Sequence, residues 1–196
     1  ILKWLAKSVV INKKNTMIEK ADKPDKPLQN REIQDILEEE KFMIRVLFIC
    51  HGNICRSTMA QFVLQDLVNR AGYTDNFYID SMATSTEEIG NGPHHGTVAK
   101  LRQVGVPVLE HYAKQVRKSD YRNFDHIIGM DQWNYRNMMR IFGKDTEQKV
   151  SILLDFTDRP GEIADPWYTG NFDETYRDVL DGCEGFLAYL RKQGKL

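Results

Sequence analysis

The segment VLFICHGNICRSTMAQF, Val46 to Phe62, constrains this chain more than any other. From Ile44 to Ile49 the run is apolar except for Arg45, the pattern of a parallel strand buried on both faces. It passes at once into Cys50, Gly52, Asn53, Cys55, Arg56 and Ser57. Met59, Phe62, Val63 and Leu67 then recur at helical spacing, and Gly72 stands where a C-terminal cap belongs. An ordinary strand ends in an ordinary turn. This one ends in a thiol, a glycine, a guanidinium and a hydroxyl.

The pattern repeats downstream. FYIDSMA (Phe77–Ala83) reads as a second strand, and HGTVAKLRQVG as a short helix ending near Gly105, with His94 and His95 at its start. HIIGM (His126–Met130) is a third strand, followed by Asp131 as N-cap and a helix through Phe142. VSILL (Val150–Leu154) is a fourth strand. Asn171 with Glu174 opens a last helix whose stripe is Phe172, Tyr176, Val179, Cys183 and Phe186 or Leu187. This alternation predicts an α/β fold: a four-stranded parallel twisted sheet flanked by helices on both faces, with a phosphate-binding loop after the first strand. Such sheets bind ligands beyond the carboxyl ends of their strands, where Cys50 lies.

Composition narrows the class. The chain has 196 residues, is 41% hydrophobic and 28% charged, and carries a formal net charge of -1. That fits a soluble globular protein and supplies no global field for nucleic acid or an anionic membrane. No apolar run approaches the roughly 20 residues of a membrane span, and the opening ILKWLAKSVVINKK lacks a signal-peptide cleavage pattern. Three cysteines argue against a disulfide scaffold and for a reducing, cytoplasmic setting. Residues 1–42, with KADKPDKPLQNREIQDILEEEK, read as a charged, flexible N-terminal extension. Residues 43–196 are long enough to form a self-sufficient domain.

The loop has the residues for phosphate chemistry. If its backbone N–H groups turn inward, they form an anion-binding nest at a helix N-terminus, with Gly52 expected to supply a conformation closed to residues bearing a Cβ. Arg56 grips two phosphate oxygens in a geometry lysine cannot match. The same positive surroundings favour thiolate at Cys50, a nucleophile aimed at phosphorus. Ser57 is placed to hydrogen-bond the sulfur and Asn53 to brace the loop. The candidate general acid is Asp165 in ADPWYTG, stiffened by Pro166, with Trp167 and Tyr168 to flank a substrate ring. No metal or other cofactor is required. Blander readings exist for each part: Cys50 as a small buried hydrophobe, Cys50 with Cys55 as half a zinc site, Asp165 as a turn aspartate, Cys183 as core. The lysine of a Walker-type nucleotide loop is missing.

VLFICHGNICRS, together with DSMATS, MDQWN and a distant DPWY, resembles the low-molecular-weight protein tyrosine phosphatase family over residues 43–196. The resemblance implies a four-stranded parallel sheet and hydrolysis of phosphotyrosyl proteins or peptides through a cysteinyl-phosphate intermediate. It implies Cys50 as nucleophile, Arg56 as phosphate-binding arginine and Asp165 as general acid. His51, Gly52, Asn53, Ile54, Cys55 and Ser57 would contribute to phosphate binding, Ser81 and His111 to loop support, and Asp131 to structure. It further implies that Cys55 traps oxidised Cys50 as a reversible disulfide.

The chain departs from the family pattern in three places: His51 where an aliphatic residue is common, Thr58 where proline is common, and Glu87 at a position often aromatic. His51 and Thr58 are expected to alter the rim or rigidity of the loop, and Glu87 to weaken ring stacking. Phosphoarginine hydrolysis and thiol-dependent arsenate reduction on the same fold are the alternatives, with a non-catalytic phosphate-binding module as a third. Ile54 suits a phenyl ring better than a guanidinium, and no cysteine lies between Cys55 and Cys183 to serve an arsenate relay.

Overall fold

A computed structural model describes residues 43–196; the expectation for residues 1–42 falls outside the described residues. Four strands, β1 (Ile44–Cys50), β2 (Phe77–Ala83), β3 (His126–Gly129) and β4 (Val150–Ile152), form one all-parallel sheet in the order β2-β1-β3-β4. The helices are α1 (Arg56–Arg70), α2 (His95–Gln103), α3 (Gln132–Phe142), a single turn α4 (Pro166–Thr169) and α5 (Phe172–Lys192).

Alternation along β1 divides the core. Val46 and Phe48 pack on one side with Met59, Phe62 and Val63 of α1 and with Val179, Cys183 and Phe186 of α5. Leu47 and Ile49 face the other side and meet Met138 and Phe142 of α3. Successive strand residues point to opposite faces, so a run apolar at both parities needs cover on both. Gly72, at φ +79°, closes α1 in the left-handed conformation that glycine adopts without steric cost.

The fourth strand is shorter than VSILL suggested. After Ile152 the chain turns into a 3-10 segment, Leu153–Phe156, in which the Asp155 carboxylate accepts the Ile152 N–H. Leu153 and Leu154 remain buried, so their apolarity reports packing under α5 rather than strand. The third strand likewise stops at Gly129, one residue short of Met130.

Because β1 is central and β3 lies on its other side from β2, the strand order reverses at β1/β3. The loops leaving β1 and β3 therefore splay around a crevice at the carboxyl edge. Cys50 ends the first and Asp131 begins the helix after the second. Among the described residues no helix is long and apolar enough to cross a membrane.

Candidate active site

The loop after β1 continues to pair with the chain leaving β2: Thr84 N–H donates to Cys50 O at 2.9 Å and Ser85 N–H to His51 O at 3.0 Å. This carries Glu87 and Glu88 to the rim. The loop then turns at Asn53, which is left-handed at φ +59°. Gly52 was expected to take that conformation and does not. It gives clearance instead, since a Cβ there would lie 3.1 Å from Glu88 Cγ. Asparagine tolerates the left-handed region because its side chain bonds locally.

Those bonds form a buried chain. Asn53 Nδ2 donates to Ser57 Oγ (3.0 Å) and Ser81 Oγ (2.8 Å), and Ser81 Oγ donates to Gln61 Oε1 (2.6 Å). With its oxygen accepting from Asn53, Ser57 is left to direct its proton at Cys50 Sγ, 3.0 Å away. Asn53 N–H donates to the same sulfur at 3.2 Å. The Asn53 carbonyl accepts from Thr58 Oγ1 at 2.8 Å and lies 3.0 Å from His111 Nε2. Burial holds the His111 proton affinity below the usual histidine range, which keeps the ring neutral. His111 and Lys114 reach the loop because residues 113–116 run along the end of β2, bridging Ala83 to Gln115. Lys114 N–H then donates to Asn53 Oδ1 at 3.3 Å. Thr58 is thus part of the loop's interior support, fully buried, and not a rim residue.

Cys55 caps α1 without a side-chain hydrogen bond, and no acidic residue occupies the first turn, so the helix N-terminus stays open to an anion. Burial, reinforced by the charges of Cys50 and Asp165, pushes the Cys55 thiol up to about 12. The Arg56 side chain is 4% exposed. It donates to Asp131 Oδ2 and Asp165 Oδ2, both at 2.5 Å, and to Ile163 O at 3.1 Å. Burial works against its charge, but Cys50, Asp165 and Asp131 outweigh it and raise its proton affinity. Its Nε is buried without a partner among the described residues.

Asp165 arrives from the opposite side as N-cap of α4, accepting Trp167 N–H at 3.1 Å, with Pro166 at the first helical position. Trp167 is held edge-on by His94, ring centroids 5.7 Å apart, and His94 stacks flat on Phe172 at 5.3 Å. His94 also caps α2 through Nδ1 and donates its own N–H to Ile54 O at 2.8 Å. Burial and the neighbouring His95 lower its proton affinity.

A cavity of about 110 Å³ lies between these elements. Cys50, His51, Gly52, Ile54, Cys55, Arg56, Glu87, Asp165, Trp167 and Tyr168 line it, joined by Glu88, which sequence reasoning missed. Asn53, Ser57, Ser81 and His111 are buried behind it as bracing. Gln61, Thr58, Lys114 and the Ile163 carbonyl belong to the same network. Thr58 was visible as a departure from the family pattern; the other three carry no motif signal, since each acts by where the fold sets it down. At the rim His51 Nε2 lies 3.0 Å from Glu87 Oε2. Taken together, a thiol at the cavity floor, an open helix N-terminus and a buried guanidinium are suited to holding a tetrahedral oxyanion over sulfur.

Residues 45–196 match the family model described as low molecular weight phosphotyrosine protein phosphatase. The chain is 38% identical over 156 residues to the low molecular weight protein-tyrosine-phosphatase YfkJ of Bacillus subtilis, covering 79% of this chain and 100% of that one. It is 37% identical over 147 residues to the low molecular weight phosphotyrosine protein phosphatase of Mus musculus, covering 72% and 92%. The crystal structure of YfkJ superposes with a TM-score of 0.75 at 38% identity, covering 77% of this chain and 96% of that one. The chain belongs to the low molecular weight phosphotyrosine protein phosphatase family.

Proposed function

We propose that the protein hydrolyses phosphotyrosyl proteins or peptides, and simple aryl phosphates, through a cysteinyl-phosphate intermediate. The observation that carries this reading is that Cys50, Arg56 and Asp165 line one small cavity. The Arg56 Nε, without a partner among the described residues, adds to it, because a buried donor of this kind is satisfied by an arriving oxyanion.

In this mechanism the phosphate enters under Arg56 and the open N-terminus of α1, and competes with Asp165 for the guanidinium. Cys50 thiolate attacks phosphorus, and the aryl oxide leaves with a proton from Asp165. Water then attacks the phosphocysteine, Asp165 takes its proton, and Cys50 departs as thiolate. The hydrogen bonds from Ser57 and the Asn53 N–H stabilise the sulfur at both stages. Ile54, Trp167 and Tyr168 supply the apolar walls a phenyl ring needs.

Phosphoarginine hydrolysis is a second reading with one observation in its favour. Glu87 and Glu88 stand at the mouth, where they complement a guanidinium. Steady-state turnover of p-nitrophenyl phosphate, phosphotyrosine and phosphoarginine by the parent and by Cys50→Ser tests both. The aryl esters should be turned over faster, and only by the parent. Faster turnover of phosphoarginine would select the second reading, and activity surviving in Cys50→Ser would remove both. The low cysteine count, three in 196 residues, supports placing the chain in a reducing cytoplasmic setting.

A further inference from the structure

Trp133 is the second residue of α3 and stands 52% exposed. A single exposed tryptophan is ordinary on a protein surface. Three features set this one apart. The first is its fixed orientation. Arg136 and Arg140, on the same helix face, bring their guanidinium carbons to 5.4 and 6.0 Å from its ring centroid, within cation–π range. Below it, Asp131 caps α3 through one carboxylate oxygen and holds Arg56 through the other, so the indole is built directly onto the phosphate site.

The second is a cavity of about 270 Å³ with Trp133 in its wall. His51, Arg56, Asp165 and Tyr168 line both this space and the smaller one over Cys50, so the two adjoin across the Arg56–Asp165 pair. Its volume lies below the roughly 300–1,000 Å³ of sites that enclose a whole drug-sized ligand, and suits one side chain. Tyr168, 84% exposed, puts a second aromatic ring on its border. The Asp131 carboxylate is engaged by Arg56 and by the N-terminus of α3, which lowers the cost of bringing an uncharged group beside it.

The third is Asn134, which also lines the groove and is fully buried. Its Oδ1 accepts the Met130 N–H at 3.1 Å, while its Nδ2 has no partner among the described residues. Its Oδ1 and its backbone N–H tie the end of β3 to the Asp131 carboxylate, so the wall of the groove beside Trp133 is held in place by both elements.

We propose that this groove is a peptide subsite that receives an aromatic side chain adjacent to the phosphotyrosine, with Trp133 as its specificity-determining residue. The proposal rests on the phosphotyrosine reading above. A small aryl phosphate carries no flanking residue to place in the groove, so selectivity from Trp133 appears only with peptides.

The test uses two phosphotyrosyl peptides identical except for phenylalanine or serine at both positions flanking the phosphotyrosine. Binding to the full chain as Cys50→Ser, measured by calorimetry, should favour the phenylalanine peptide by about 3- to 10-fold. Adding Trp133→Ala should bring that ratio near one, and Trp133→Phe should restore part of it. The kcat/KM ratio of the two peptides in the Cys50 parent should follow the same order. A parent that does not distinguish the peptides, or a preference that survives Trp133→Ala, overturns the subsite while leaving phosphotyrosine hydrolysis intact. Binding of neither peptide, with phosphoarginine still hydrolysed, overturns the subsite together with the phosphotyrosine reading.

Discussion

Two layers of the same site are built in opposite ways. In the loop floor, Asn53 engages Cys50, Ser57, Ser81 and Lys114, and none of it is exposed. On the rim, His51 and Glu87 engage each other, with side chains 41% and 70% exposed. Removing a floor group leaves buried donors and acceptors unpaired, which costs each its desolvation. Removing a rim group lets water take its place, and an exposed pair of this kind contributes only about 0–1 kcal/mol. The floor is therefore where chemistry is held, and the rim is where substrates can be exchanged at little structural cost.

Cys50→Ser should cut turnover of p-nitrophenyl phosphate by about 10⁴-fold or more while vanadate still binds, read by steady-state kinetics and calorimetry. Loss of both would mean the substitution had damaged the cradle itself. Asp165→Asn should slow aryl esters with poor leaving groups by about 10²–10³-fold and those with good ones far less. A uniform slowing would assign Asp165 to holding Arg56 rather than to proton transfer. Asn53→Ala should destabilise the fold by about 2–3 kcal/mol in a urea titration, because two buried hydrogen bonds and one part-buried one of its side chain go with it. A loss as small as that of a rim substitution would erase the distinction drawn here.

The buried His111 gives the floor a pH dependence. Its proton affinity is lowered in the fold, so below its unfolded value of 6.5 the unfolded chain binds more protons and stability falls as pH drops. His111→Gln should make the urea midpoints at pH 7.5 and 5.5 more alike than in the parent. An unchanged gap would assign the acid loss elsewhere, for instance to His126, whose burial pushes it to about 4. The smallest effect is expected at the rim. Glu87→Tyr should lower KM for aryl phosphates by about 2- to 5-fold by adding a ring wall, with kcat little changed. A change in kcat as large as that in KM would show that the rim reaches into the chemistry.

What was legible from residue order follows from short-range physics. Ile44–Cys50, the stripe of α1, Asp131 as N-cap and Asn171 before α5 are each written within a few residues, because strand parity, helical period and capping are local. The CHGNICRS loop was legible for the same reason. Its misreading was also local: Gly52 and Asn53 both permit a left-handed turn, and only the close approach of Glu88 to Gly52 and the partners of the Asn53 amide decide between them. Leu153 and Leu154 misled similarly, since a buried apolar pair does not say whether it is strand or turn.

By itself, then, residue order determined an alternating α/β chain with a thiol–guanidinium loop at the end of its first strand. Only tertiary structure decided the company that loop keeps. Ser81 and Asp165 stand 28 and 109 residues from their loop partners Asn53 and Arg56, and the pairing of His51 with Glu87 spans 36. The placement of Trp133 against a groove beside the catalytic loop is likewise a product of the β2-β1-β3-β4 strand order. Periodicity records which face of an element is apolar. It does not record which loops the sheet brings to one edge, because that depends on strand order and crossover packing summed over the whole domain.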